Sequence, residues 1–291
     1  MSSPESATKN PNIITEGLAF GESPRWHDGR LWLCNWGTGE IVAVNEDGKS
    51  EVMLTVPAVL PYSIDWLPDG QLLVVSGREG LLLRQEADGT LVTHADLREL
   101  SRNPWNEIVV DGRGNIYVNG GGPAPAPGEH FGPGTIVLIT PDGTARKVAE
   151  DIAFANGMVV TPDNGTLIIA ESHARRLTAF DIAADGSLTN RRVWADLGND
   201  YPDGITLDAE GCVWYADVPN RHCIRVHESG AKLDRVEVDR GCFACMLGGA
   251  DGKTLFIAAA EWRGFEHMVS DARTGQVLSA AVSSPGTGWP S

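Results

Sequence analysis

Residues 156–172 read "NGMVVTPDNGTLIIAES". After the leading Asn156-Gly157 pair come a short apolar run, a Pro-Asp-Asn-Gly turn and a second apolar run, which is the pattern of a β-hairpin. The pattern recurs as "ESPRWHDGRLWLCNW" from Glu22, "YSIDWLPDGQLLVVSG" from Tyr62 and "NEIVVDGRGNIYVNG" from Asn106. Two further copies are "DGITLDAEGCVWYADV" from Asp203 and "CMLGGADGKTLFIAAAEW" from Cys245. The turn glycines Gly29, Gly70, Gly114, Gly165, Gly211 and Gly252 are spaced by 41, 44, 51, 46 and 41 residues, so six units fill the chain of 291.

Each unit continues into two more β-like runs, as in residues 175–197, "RRLTAFDIAADGSLTNRRVWADL". Four antiparallel strands over about 40 to 50 residues are the period of a propeller blade. The expected fold is therefore all-β: a six-bladed β-propeller of four-stranded antiparallel blades, forming one domain over 1–291 with about residues 1–10 as a flexible tail. The best short helical candidate is "ADLREL" at 95–100. The last unit is one outer strand short, and "NIITEGLAF" at 12–20 precedes the first, so the N-terminal segment is expected to complete the ring.

Charge excludes some partners. With 23 Lys+Arg against 39 Asp+Glu the net charge is -16, which repels phosphate backbones and anionic membranes, so no nucleic-acid or membrane partner is expected. The N-terminus has no apolar leader pattern, no run has the length of a spanning helix, and five sparse cysteines do not make a disulfide framework. A cytoplasmic protein acting on a small molecule is expected, with its oligomeric state open.

The residue opening the innermost strand of each unit borders the central channel at one rim. Those positions hold Glu22, Tyr62 or Ser63, Asn106, Asn156, Asp203 and one of the "CFAC" group at 242–245. Two carboxylates converging on one axis would repel and lose hydration together unless a cation joins them. Oxygen-only donors suit a hard ion, so one divalent ion is expected at Glu22, Asn106, Asn156 and Asp203: Ca2+ first, with Mg2+, Mn2+, Zn2+ or Fe2+ as the alternatives.

The sequence resembles the regucalcin/gluconolactonase (senescence marker protein-like) family of six-bladed propeller lactonases. The resemblance runs from "GESPRW" at 21–26 through "ANGMVVTPD" and "YPDGITLDAEGCVWYAD" to "GGADGKTLFIA". In that family the glutamate of "GES", the asparagine opening the third blade, that of "NG" and the aspartate of "PDG" hold the metal, which implies the same four residues here. Pro104 stands where sugar-lactone-hydrolysing members often carry Arg, and Asn35 where many carry Asp.

Such a site supports lactone opening by metal-activated water, with Asp203 as general base and Glu22 as its rival. No G-x-S-x-G elbow supports a serine nucleophile. The alternatives are a calcium-dependent organophosphate ester hydrolase and a non-catalytic metal- or ligand-binding propeller.

Loops joining second to third strands share the metal's rim. They bring Trp36, His173 and Trp262 toward substrate, together with His130 and Phe131 on the Gly/Pro-rich insertion 119–134, expected to be a lid. Tyr62 and Cys245, opening inner strands, complete the expected substrate contacts. The Cys242/Cys245 pair has no partner pair and no helix terminus to activate it, so a thiol lining the channel is expected rather than a zinc or redox site.

Overall fold

In the computed structural model, residues 10–58, 60–120, 122–123, 132–264, 267 and 272–288 are described. They form six four-stranded antiparallel sheets arranged as a β-propeller. The innermost strands are Gly21–His27, Tyr62–Trp66, Trp105–Val110, Ala155–Val160, Pro202–Leu207 and Gly241–Gly248. They pack against one another around the axis. In the first five blades successive strands run outward in sequence order.

The sixth blade is closed from the other end of the chain. Asn12–Leu18 pairs antiparallel with Gly275–Ala281, so the ring shuts through backbone hydrogen bonds, as the short last unit predicts. Both faces of every blade are covered, which explains why strands such as Thr166–Glu171 read as apolar runs rather than alternations. Six buried hydrophobic clusters lie one between each adjacent pair of blades. Among the described residues the one helix is a 3-10 turn over Ser172–Ala174. The helical candidate at 95–100 instead ends the strand Leu91–Asp96 and turns, because that segment pairs with Leu81–Gln85 as the outer strand of its blade.

Candidate functional site

Register decides where the innermost strands point their side chains. In five blades the pairing slips by one residue, and in four of these it does so between Glu22 and Arg25, Trp105 and Ile108, Ala155 and Met158, and Pro202 and Ile205. Glu22, Asn106, Asn156 and Asp203 sit at these bulges. A bulge bends its strand and re-aims a side chain that regular pleating would send between blades. The second blade, which carries none of the four, pairs without interruption from Tyr62 to Trp66. All four side chains line one cavity of about 570 Å³.

Two glycines let these strands approach. A Cβ on Gly157 would lie 2.6 Å from the Ile205 nitrogen and 2.9 Å from the Asp203 carbonyl oxygen. One on Gly204 would lie 2.5 Å from the Ala244 Cβ. The Asn-Gly and Asp-Gly pairs that open these strands therefore serve close backbone packing at the hub.

Hydrogen bonds fix the donors. The Asn156 Nδ2 donates to Ser172 Oγ at 3.4 Å, and Ser172 Oγ donates to the Pro202 carbonyl at 2.6 Å. The Asn156 amide also favours the ionised form of the Asp203 carboxylate. Asn106 Nδ2 reaches the Ala155 carbonyl at 3.4 Å. Burial first, then the charges of Asp203 and Glu107, push the Glu22 carboxyl well above the usual glutamate range. Burial likewise raises Asp203, with Glu107 and Asp217 adding to it against the pull of Asn156. Two carboxylates held at this cost beside two carboxamide oxygens are a donor set suited to a hard divalent cation.

Beneath the floor lies a buried ion network that the repeat pattern does not reveal. Arg25 Nη2 donates to Glu107 Oε2 at 3.2 Å and to the Ile108 carbonyl at 2.6 Å, while Nη1 donates to the Pro24 carbonyl at 2.9 Å. Arg25 Nε is 3.9 Å from Asp65 Oδ1, and Asp65 Oδ2 accepts from the Val110 N–H at 2.8 Å. A charged residue in each of the first and third hairpins, "SPRW" and "NEIV", is the only signal available in the sequence.

A second acidic cluster sits in the fifth blade. One ligand atom from each of Asp200, Asp217 and His222 lies within 4.8 Å of the others. Asp200 Oδ2 already accepts from Lys232 Nζ at 2.7 Å and from the Tyr215 hydroxyl at 2.6 Å, so a lysine supplies positive charge there. His222 is buried at the start of the strand His222–Val226.

Of the expected substrate contacts, Trp36, His173 and Trp262 line the cavity. Tyr62 and Cys245 do not, and both expectations are corrected. Tyr62 is fully buried and donates its hydroxyl to the Asn35 carbonyl at 2.6 Å; its own carbonyl accepts from the Trp36 indole at 2.6 Å. Lacking a bulge, its strand turns the ring between blades. In the sixth blade the register slips between Cys242 and Ala244, so Phe243 lines the cavity. Cys245 then faces the fifth blade, its Sγ 3.6 Å from the Gly204 and Trp214 carbonyl oxygens. His130 and Phe131 lie outside the described residues, as does most of the expected lid. Sequence reasoning also missed the loops entering the inner strands, which add Pro61, Pro104, Phe154 and Tyr201 to the wall. They share the rim because the strands they feed begin there.

Residues 20–261 match the family described as SMP-30/Gluconolactonase/LRE-like region. Among curated proteins, the 6-deoxy-6-sulfogluconolactonase of Pseudomonas putida is 26% identical over 96% of both chains. The regucalcin of Oryctolagus cuniculus is 24% identical over 88% of both. Among solved structures, the calcium-binding protein regucalcin from Agrobacterium tumefaciens superposes with a TM-score of 0.79, at 21% identity over 97% of each chain.

Proposed function

Because the chain belongs to the SMP-30/Gluconolactonase/LRE-like family, we propose that it is a metal-dependent hydrolase that opens a small lactone. The observation carrying this is the convergence of Glu22, Asn106, Asn156 and Asp203, each at a bulge, on one cavity large enough for a small ring. The 6-deoxy-6-sulfogluconolactonase among the relatives supports the reaction class, and the regucalcins described as calcium-binding support the ion. When bound by those four residues, a divalent cation, Ca2+ first, supplies carbonyl polarisation and makes water easier to deprotonate.

Asp203 is the general base. It is half-buried on the cavity surface, where its ionised carboxylate is open to a water admitted to the cavity. It accepts a proton from the attacking water as the new C–O bond forms at the lactone carbonyl. It returns that proton to the ring oxygen as the acyl C–O bond breaks, giving the hydroxy acid. Glu22, more deeply buried at the floor, supplies charge to the ion site. Asn156, tied to Ser172, favours the charged form of Asp203. His173, stacked on Phe154 at 4.5 Å, forms part of the substrate wall.

The test is hydrolysis of γ- and δ-lactones followed with a pH indicator, in parallel with phosphotriesters, before and after EDTA. Lactone opening that EDTA abolishes and Ca2+ or Mn2+ restores is expected, and Asp203→Asn should lower kcat by roughly 10²- to 10⁴-fold. Full activity after chelation would sink the metal-dependent mechanism, and turnover of phosphotriesters alone would favour the organophosphate alternative.

A further inference from the structure

Above its oxygen-lined floor the cavity is walled chiefly by rings and aliphatic groups, with Arg78, Asn103, Ser172 and Tyr201 as further polar residues. Phe243 lies between Phe20, at 4.1 Å between centroids, and Trp262, at 5.8 Å, and Trp36 continues the same wall. The stacked pair Phe154 and His173 adds two more rings to the lining. Pro104 and Val218 add further apolar lining. Among the described lining residues, Arg78 is the one Lys or Arg side chain.

We infer, resting on the lactonase reading above, that the substrate is a lactone with an apolar aryl or alkyl body rather than a polyhydroxylated sugar lactone. A sugar lactone brings several hydroxyls, and each one enclosed against such walls exchanges water for carbon. An unmatched hydroxyl weakens binding by roughly tenfold or more. An apolar substituent gains instead, by roughly fourfold for each methylene taken out of water. Rings contributed to the wall by several blades favour a planar body, which packs on them with little loss of internal freedom. The floor needs only the ester group: its carbonyl and ring oxygen meet the polar donors while the remainder of the molecule meets carbon.

The experiment separates ligand class from chemistry. Calcium-loaded protein is titrated, by tryptophan fluorescence, with two unreactive lactams, 3,4-dihydroquinolin-2-one and D-gluconolactam. Turnover of the matching lactones, dihydrocoumarin and D-glucono-δ-lactone, is measured alongside. The aryl lactam is expected to bind about 30-fold more tightly or better, with a similar ratio in kcat/KM, given the per-group factors above. Trp262→Ala, at a position 40% exposed, should shrink both ratios by about tenfold. Equal or tighter binding of the gluconolactam, or an equal or higher kcat/KM for the sugar lactone, overturns the apolar class and leaves lactone hydrolysis standing. Preferential binding of the aryl lactam with no lactone opened overturns the hydrolase reading and leaves the ligand class standing.

Discussion

The Asn119 side-chain amide donates to the main-chain carbonyl of Asn156 at 2.6 Å. Asn119 is next to last in Ile116–Gly120, the second strand of the third blade, and Asn156 is second in Ala155–Val160, the first strand of the fourth. From Asn156 the chain of hydrogen bonds continues through Ser172 to the Pro202 carbonyl, one residue before Asp203. Strands from three blades are thus tied together where three of the four oxygen donors lie. Their spacing is a property of the ring and not of any one hairpin.

Asn119 is fully buried, so Asn119→Ala is expected to leave the Asn156 carbonyl without its donor and to cost about 1–3 kcal/mol of stability. If the bond also positions the site, calcium affinity should fall roughly 10- to 100-fold. Thermal melts with and without Ca2+, together with calorimetric titration, separate the two effects. A variant that melts lower yet binds Ca2+ as tightly as wild type would reduce Asn119 to a packing role.

The hub glycines make a different prediction. Gly157→Ala places a methyl group against the Ile205 nitrogen and the Asp203 carbonyl, both backbone atoms that cannot rotate away. Overpacking of this kind costs about 1–3 kcal/mol. It should also move Asn156 relative to Asp203, so calcium binding should weaken along with the melting temperature. Gly29→Ala, whose Cβ meets nothing within 4 Å, is the control: its φ of +72° costs stability at a turn while calcium affinity should hold.

The ring and its closure were legible because both are local patterns repeated: turn glycines at regular spacing, and one unit short of a strand. Glu22, Asn106, Asn156 and Asp203 stood out because oxygen side chains at strand openings are unusual among apolar runs. The bulges were not legible, since register is set by pairing with a second strand and leaves no mark in the first. That is why Tyr62 and Cys245 were misassigned. Alternation in a regular strand gives their direction, and the second blade keeps that regularity whereas the sixth breaks it at Phe243. The Arg25–Glu107 contact, between residues 82 apart, is equally a consequence of folding.

Arg25 should be the costliest of the buried charges to remove. Arg25→Met leaves Glu107 and Asp65 without a cation and the Pro24 and Ile108 carbonyls without donors, all in a region closed to water. Breaking one side of a buried pair costs about 3–5 kcal/mol. Urea denaturation of Arg25→Met and of the double variant Arg25→Met/Glu107→Gln checks this. The second substitution should recover part of the loss, because it removes an unpaired buried charge beside Glu22 and Asp203. Additive losses would mean that the two side chains do not act as a pair.

Acidity and calcium should compete for the same oxygens. In the metal-free protein Glu22 and Asp203 are raised, chiefly by burial and then by neighbouring carboxylates. A carboxyl raised in the folded state contributes stability that is complete below its unfolded value, about 4, and is lost as pH climbs through the folded value. Metal-free protein should therefore become less stable from about pH 4 upward, until both groups have ionised. Coordination requires the ionised forms, so calcium affinity should rise over that interval and binding should release protons. Calorimetric titration with CaCl2 in two buffers of different ionisation enthalpy, at about pH 6 and about pH 8, reads the proton count directly. More protons released at the lower pH, and a calcium-induced rise in melting temperature that grows with pH, are expected. Glu22→Gln should lower both the proton release and the affinity. If affinity is flat across the range with no protons released, Glu22 and Asp203 are not the groups that meet the ion.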